Sequence, residues 1–192
     1  WNPAKEIKGR EVLILGSGSG VAKHRFALEQ YIRKASPYVI SLNTKQEIDP
    51  DLIDACVACH PFRLFADCEA HTRLPQPLIT PASMLPSNIR EVLKNKELLD
   101  FGVSVKENTF IFESTYCVLP SPLVIAYSLA IATSGQARNV LLAGFDGYGA
   151  DDPRTKEMQE LLTEYNNLPK VIKAVSITPT TYVLDQRSVY GM

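Results

Sequence analysis

The junction between Glu11-Val12-Leu13-Ile14-Leu15 and Gly16-Ser17-Gly18-Ser19-Gly20 constrains this chain more than any other stretch. A short apolar run that ends in glycines reads as a buried strand. Beyond the glycines, Val21, Leu28, Tyr31 and Ile32 fall on roughly one helical face, so Val21 to Lys34 reads as a helix that Pro37 stops. A strand, a glycine-rich turn and a helix in that order make a phosphate-holding loop. The glycines let the backbone turn tightly and approach a ligand, and the helix presents unpaired N–H groups to an anion. Lys23, His24 and Arg25 fall in the first helical turn, where the helix dipole disfavours cations by about 0.3–1 kcal/mol each unless an anion is near. Successive residues point about 100° apart, so only one or two of them can face one ligand. The competing reading is a flexible turn with solvated basic neighbours.

The loop departs from the dinucleotide fingerprint, because Val21 stands where G-x-G-x-x-G has its third glycine and the second strand ends in Asn43 rather than an acidic residue. Nicotinamide dinucleotides are therefore disfavoured. The G-x-x-x-x-G-K-S/T loop of nucleoside triphosphatases does not occur in the sequence either.

Short apolar runs recur between helical patterns. Tyr38 to Leu42, Ala55 to Cys59 and Pro77 to Thr80 read as strands two to four. Asn88 to Asp100 has a helical pattern, with Ser87 as cap and Ile89, Val92, Leu93 and Leu99 turned inward. Phe101 to Val105 and Thr109 to Phe112 read as two further strands or a hairpin. Leu123 to Thr133 is a mostly apolar helix closed by Gly135, and Val140 to Phe145 a strand buried on both faces, a β-α-β unit in outline. A helix over Asp152 to Tyr165, a strand near Ala174 to Ile177 and an irregular tail complete the chain. Alternation of this kind predicts a three-layer α/β domain with a mostly parallel sheet.

Of 192 residues, 45% are hydrophobic, enough for one continuous core, and 20 basic against 21 acidic side chains leave no field to attract nucleic acid or an anionic membrane. No apolar stretch is long enough to span a bilayer and no signal segment opens the chain, which favours the cytoplasm. Residues 1–10, from Trp1-Asn2-Pro3 through the charged run to Arg10, read as a linker from a preceding domain, with residues 11–192 a single domain.

Other constellations carry chemistry of their own. Cys56-Val57-Ala58-Cys59-His60 matches the c-type haem attachment motif, but its place in a buried strand and strand end argues for small core side chains. Cys56, Cys59, Cys68 and His71 supply four ligand types for tetrahedral zinc, against which a period of two sends Cys56 and Cys59 to opposite faces. Asp146, Asp151 and Asp152 follow a strand end and are candidates to hold magnesium against a bound diphosphate. The alternative is that Asp151 or Asp152 caps the next helix ahead of Pro153. Ser121, in Pro-Ser-Pro, reads as a helix cap before Pro122 rather than a nucleophile.

Four stretches in order, LILGSGSG, ISLN ending at Asn43, ACHP ending at Pro61, and SPLVIAYSLAIATSGQARNVLLAGFDGY, resemble the Rossmann-like domain shared by bacterial family 42 sialyltransferases and 6-hydroxymethylpterin diphosphokinase-like proteins. The resemblance spans roughly Val12 to Tyr148. It implies that Gly16, Ser17, Gly18, Ser19, Gly20, Asn43, His60, Ser121, Asp146 and Tyr148 surround a nucleotide or nucleotide-sugar, possible magnesium included, with Tyr148 near phosphate. Histidines occur only at 24, 60 and 71, so the base that the sialyltransferases carry after this segment has no counterpart. The segment GFDGYGADDPRTKEMQELLTEY is similar to domains behind aldolases of the 4-hydroxy-2-oxovalerate or hydroxymethylglutaryl-lyase-like type, in proteins of surface-polysaccharide metabolism. It implies an accessory domain whose partner is a preceding aldolase-like domain, with the aldolase chemistry outside these residues. An autonomous glycosyl- or diphospho-transferase and a non-catalytic interaction module are the alternatives, and a second copy of the chain, forming a homo-oligomer, is a further candidate partner.

Overall fold

Strand side chains alternate between the two faces of a sheet, so a strand apolar at every position has to be covered twice. The computed structural model, which describes residues 1–149 and 151–192, covers its central strands in this way. In chain order the strands are β1 (Glu11–Leu15), β2 (Tyr38–Leu42), β3 (Ala55–Val57), β4 (Leu78–Thr80), β5 (Leu98–Asp100), β6 (Gly102–Val105), β7 (Ile111–Phe112), β8 (Tyr116–Leu119), β9 (Asn139–Ala143), β10 (Ala174–Ser176) and β11 (Asp185–Gln186). The helices are α1 (Ala4–Ile7), α2 (Ser19–Lys23), α3 (Arg25–Ala35), α4 (Pro61–Arg73), α5 (Ser87–Val92), α6 (Val124–Ser134) and α7 (Pro153–Asn167).

Eight strands form a parallel sheet in the order β11-β10-β9-β1-β2-β3-β4-β5. In β1, Val12 and Ile14 face the layer of α6 and α7, while Leu13 and Leu15 face α3. The domain is thus a three-layer, Rossmann-like α/β fold. The chain builds outward from β1 to β5, returns, and builds outward again from β9, so the order reverses between β1 and β9. Crevices at such a reversal are where open α/β sheets bind ligands.

Several elements differ from the sequence reading. The helix expected over Val21 to Lys34 is two helices that part at His24, and it begins earlier, at Ser19. Only Ser87–Val92 of the stretch to Asp100 is helical; Leu98–Asp100 pairs with Leu78–Thr80 instead, because backbone pairing at the sheet edge outweighs a local periodicity broken by Lys94-Asn95-Lys96. Ile89 and Leu93 are buried as expected, whereas Val92 is exposed, and Ser87 forms no capping bond. The tail carries the edge strand β11 and buries Val189. Residues 1–10, read as a linker, are packed on the domain: Ile7 is fully buried and Gly9 N–H donates to the Gln136 carbonyl (3.0 Å).

The small sheet β6-β8-β7 explains the composition of α6. Eight consecutive residues, Ile125 to Ala132, are buried, because the main sheet covers one side of the helix and the small sheet another. β6 runs parallel to β8 and β7 antiparallel to it, so the expected hairpin of the first two strands is instead a β7–β8 pair. Among the described residues no helix is long and apolar enough to cross a membrane.

Truncating a doubly covered strand residue leaves a cavity that neighbours cannot fill. Ile14→Ala is expected to lower unfolding free energy by about 2–5 kcal/mol in chemical denaturation, while Val183→Ala, on an 82% exposed side chain, stays within about 0.5 kcal/mol. Equal costs would contradict this placement of the core.

Candidate functional site

The turn after β1 and the turn after β9 are built into each other. Gly16 N–H donates to the Ala143 carbonyl (2.8 Å) and Gly18 N–H to the Gly144 carbonyl (2.9 Å). A β-carbon on Gly16 or Gly18 would stand 2.6 or 2.5 Å from the Gly144 oxygen. Gly144 itself has φ +75°, a conformation open to glycine at little cost. These glycines therefore answer to a close approach of two backbone segments within the protein.

Asp146 completes the interlock. Its Oδ2 accepts from Gly20 N–H (2.8 Å) and Ser19 Oγ–H (2.9 Å), so the start of α2 already holds an anion, the protein's own carboxylate. Its Oδ1 is buried without a partner against Gly18 and Gly20, and a β-carbon on Gly20 would overlap it. Ser19 and Gly20, expected to face a phosphate, instead give the Ser19 hydroxyl and the Gly20 N–H to Asp146. Magnesium fares likewise. Both Asp146 oxygens are turned into the loop, and Asp152 caps α7, accepting from Arg154 N–H (2.9 Å) and forming a bidentate pair with its guanidinium. That pairing holds the Asp152 carboxyl at about 2. Asp151 is exposed. No group of three His, Cys, Asp or Glu able to hold a metal occurs among the described residues.

The segment Thr178-Pro179-Thr180-Thr181-Tyr182, unremarked in the sequence, fastens the second turn. Thr178 Oγ1 accepts from Gly144 N–H (2.9 Å), and Thr181 N–H donates to the Asp146 carbonyl (3.1 Å). Hydroxyl-bearing residues directly after a buried strand were the available signal.

Beside this interlock, at the carboxyl edge of the sheet, lies a half-open cleft of about 550 Å³. It brings together Gly16, Ser17, Gly18, Asn43, His60, Asp146 and Tyr148 from the expected set. Ser19 and Gly20 sit outside it behind Asp146, and Ser121 precedes its wall at Pro122. Leu42, Leu123, Val124 and Met158 give an apolar side, and Arg63 adds a cation that the sequence reading passed over. Asn43 holds a left-handed backbone (φ 58°) at the end of β2, which asparagine tolerates better than most residues.

Two long helices begin at this cleft. α4 starts at Pro61, with His60 as an N-cap residue that makes no capping bond. α6 starts after Pro122-Leu123, likewise without a side-chain cap. The first-turn N–H groups of Phe62, Arg63, Val124 and Ile125 find no acceptor among the described residues. His60 Nδ1 and Ser121 Oγ are buried without partners; Ser121 thus does not cap α6, and no base activates it.

The remaining sequence candidates lie elsewhere. His24 Nδ1 meets Tyr190 OH (3.0 Å) and Arg25 pairs with Glu29 (2.7 Å), so the basic trio is committed outside the cleft or, at Lys23, exposed. Tyr148 is 41% exposed, with the Arg154 guanidinium 4.2 Å from its ring centroid. Cys56 and Cys68 belong to the core under α4 and α5, Cys59 to the opposite face of the sheet, and all four cysteines are unpaired. Burial pushes the Cys59 thiol up to about 12, so no thiolate forms there at neutral pH. Comparison of the sequence with models of known protein families and with curated proteins finds no match to either.

Asp146→Ala leaves the Gly20 amide without its acceptor and should cost about 1–2 kcal/mol of stability. Gly20→Ala should cost about 1–3 kcal/mol alone and less when combined with Asp146→Ala; strict additivity in denaturation would contradict the contact. His71, 1% exposed, is held by burial at about 4 against an ordinary 6.5. The unfolded chain takes that proton first, so stability is complete above about pH 6.5 and declines as pH falls toward 4. Melting curves across that window should show the decline, and His71→Met should flatten it; an unchanged slope would contradict the assignment.

Proposed function

We propose that this domain binds a nucleotide or nucleotide-sugar in the cleft at the β1–β9 reversal, with the phosphates between the amino ends of α4 and α6. The observation that carries the reading is the convergence of those two uncapped helix starts with Arg63 and His60 on one cavity. Helix amino ends offer unsatisfied N–H donors and a partial positive charge, and a guanidinium suits phosphate oxygens. The glycine turn is the opposite pole, because Asp146 makes it acidic, so the anionic end of a ligand is directed away from it. The apolar side formed by Leu42, Leu123, Val124 and Met158 suits the sugar or base portion.

Within this reading the domain is the accessory, ligand-binding part of a carbohydrate-related enzyme. The partner we infer for it is the preceding aldolase-like domain implied by the resemblance of its GFDGY segment, in surface-polysaccharide metabolism. Transfer chemistry by the domain alone is the weaker alternative, because Ser121 Oγ and His60 Nδ1 each stand without a hydrogen-bond partner and form no nucleophile–base pair.

Thermal unfolding with nucleoside mono- and diphosphates and nucleotide-sugars tests the proposal. A ligand at about 100 times its Kd adds about 2.7 kcal/mol, which for a chain of this size raises Tm by roughly 5–10 °C. Arg63→Ala should weaken the best ligand about tenfold, the loss of one charge-assisted phosphate contact. No shift with any compound, or unchanged affinity in Arg63→Ala, would contradict it.

A further inference from the structure

Phe62 is a large apolar side chain that the core does not use. It is 80% exposed, while Leu64 and Cys68 of the same helix are buried against the sheet. Long side chains in helices lean back toward the amino end. Phe62 is the second residue of α4, at the carboxyl edge of the sheet, and its ring stands outside the lining of the cleft, next to two residues that belong to it. It lies against His60, with ring centroids 5.7 Å apart and planes inclined by 33°. His60 and Arg63, two residues before and one after, both line the cleft. The rim thus carries an aromatic pair next to a cation, above two helix starts.

We infer that Phe62 is the wall on which the planar base of the bound nucleotide stacks, alongside His60, while the phosphates lie deeper between α4 and α6. The inference rests on the nucleotide reading of the cleft and adds to it which part of the ligand sits where. Aromatic rings pack in offset arrangements with centroids 4.5–7 Å apart, and the His60–Phe62 pair already shows that spacing. A base packed against the exposed Phe62 ring at the mouth of the cleft removes apolar surface from water. Every base has a π face, so such a wall selects for a planar ring without choosing strongly among bases. The ligand class is therefore a nucleoside phosphate rather than a plain sugar phosphate.

The experiment is calorimetric titration of the whole chain with uridine, cytidine, adenosine and guanosine monophosphates and with ribose 5-phosphate. Wild type is compared with Phe62→Ala, Phe62→Trp and, as a control, Phe65→Ala, whose ring is also exposed. Phe62→Ala should weaken the nucleoside phosphates about tenfold and leave ribose 5-phosphate unchanged. Phe62→Trp should retain or improve nucleoside phosphate binding, and Phe65→Ala should alter neither. Unfolding curves check that the Phe62 variants fold, as an exposed ring permits. If wild type binds nucleoside phosphates and Phe62→Ala binds them equally well, the stacking inference fails and the nucleotide reading stands. If wild type binds ribose 5-phosphate as tightly as the nucleotides, stacking likewise fails. If wild type binds none of these probes, the stacking inference fails, and the nucleotide reading is decided by the diphosphates and nucleotide-sugars of the thermal screen.

Discussion

The Asp146 carboxylate, lodged between Gly18 and Gly20 and bonded to Ser19 and Gly20, decides how the rest of the site is arranged. β1 and β9 are neighbours, and their turns share so little space that side chains are excluded at Gly16, Gly18, Gly20 and Gly144. An acidic group at the start of α2 supplies internally what a helix amino end elsewhere takes from a ligand. In the binding mode we propose, that carboxylate makes one end of the cleft acidic, and the uncapped starts of α4 and α6 form the end that takes the anion.

That arrangement stands on a sheet with no exposed face along its central strands. Val12 and Ile14 pack one way and Leu13 and Leu15 the other, and β2 and β9 divide their side chains in the same manner. Parallel strands need such double cover. The helices that provide it necessarily begin at the carboxyl edge, which is why helix starts cluster there. α6 goes further, because the small sheet β6-β8-β7 buries its outer side as well, and Pro122 to Ile125 at its start form a wall of the cleft.

The central strands were legible because both of their faces are apolar, and so was the α/β class, because runs of this length alternate with helices. The edge was harder to read. Leu98 to Asp100 lies beyond the break at Lys94-Asn95-Lys96 and is a strand because β4 offers backbone groups beside it, a partner that local sequence does not show. Pro61 and the spacing of Leu64, Cys68 and His71 mark α4, but in the sequence the same Cys and His residues fit a ligand spacing as well as a helical face. Within the site, Gly16, Asn43, His60, Asp146 and Tyr148 do converge on one cleft. The sequence cannot convey that Asp146 turns back onto the loop it follows by 126 residues, counted from Gly20. Nor does it reveal that Lys23, His24 and Arg25 lie outside the lining of the cleft, because both facts depend on how distant turns meet.

The orientation of the bound anion is the claim on which this account turns, and amide chemical shifts report it directly. In a titration of the isotopically labelled protein with a nucleoside diphosphate, the largest changes are predicted at Phe62, Arg63, Val124 and Ile125, with Ser19 and Gly20 little affected. Largest changes at Ser17 to Gly20, with the amides of α4 and α6 unmoved, would contradict it.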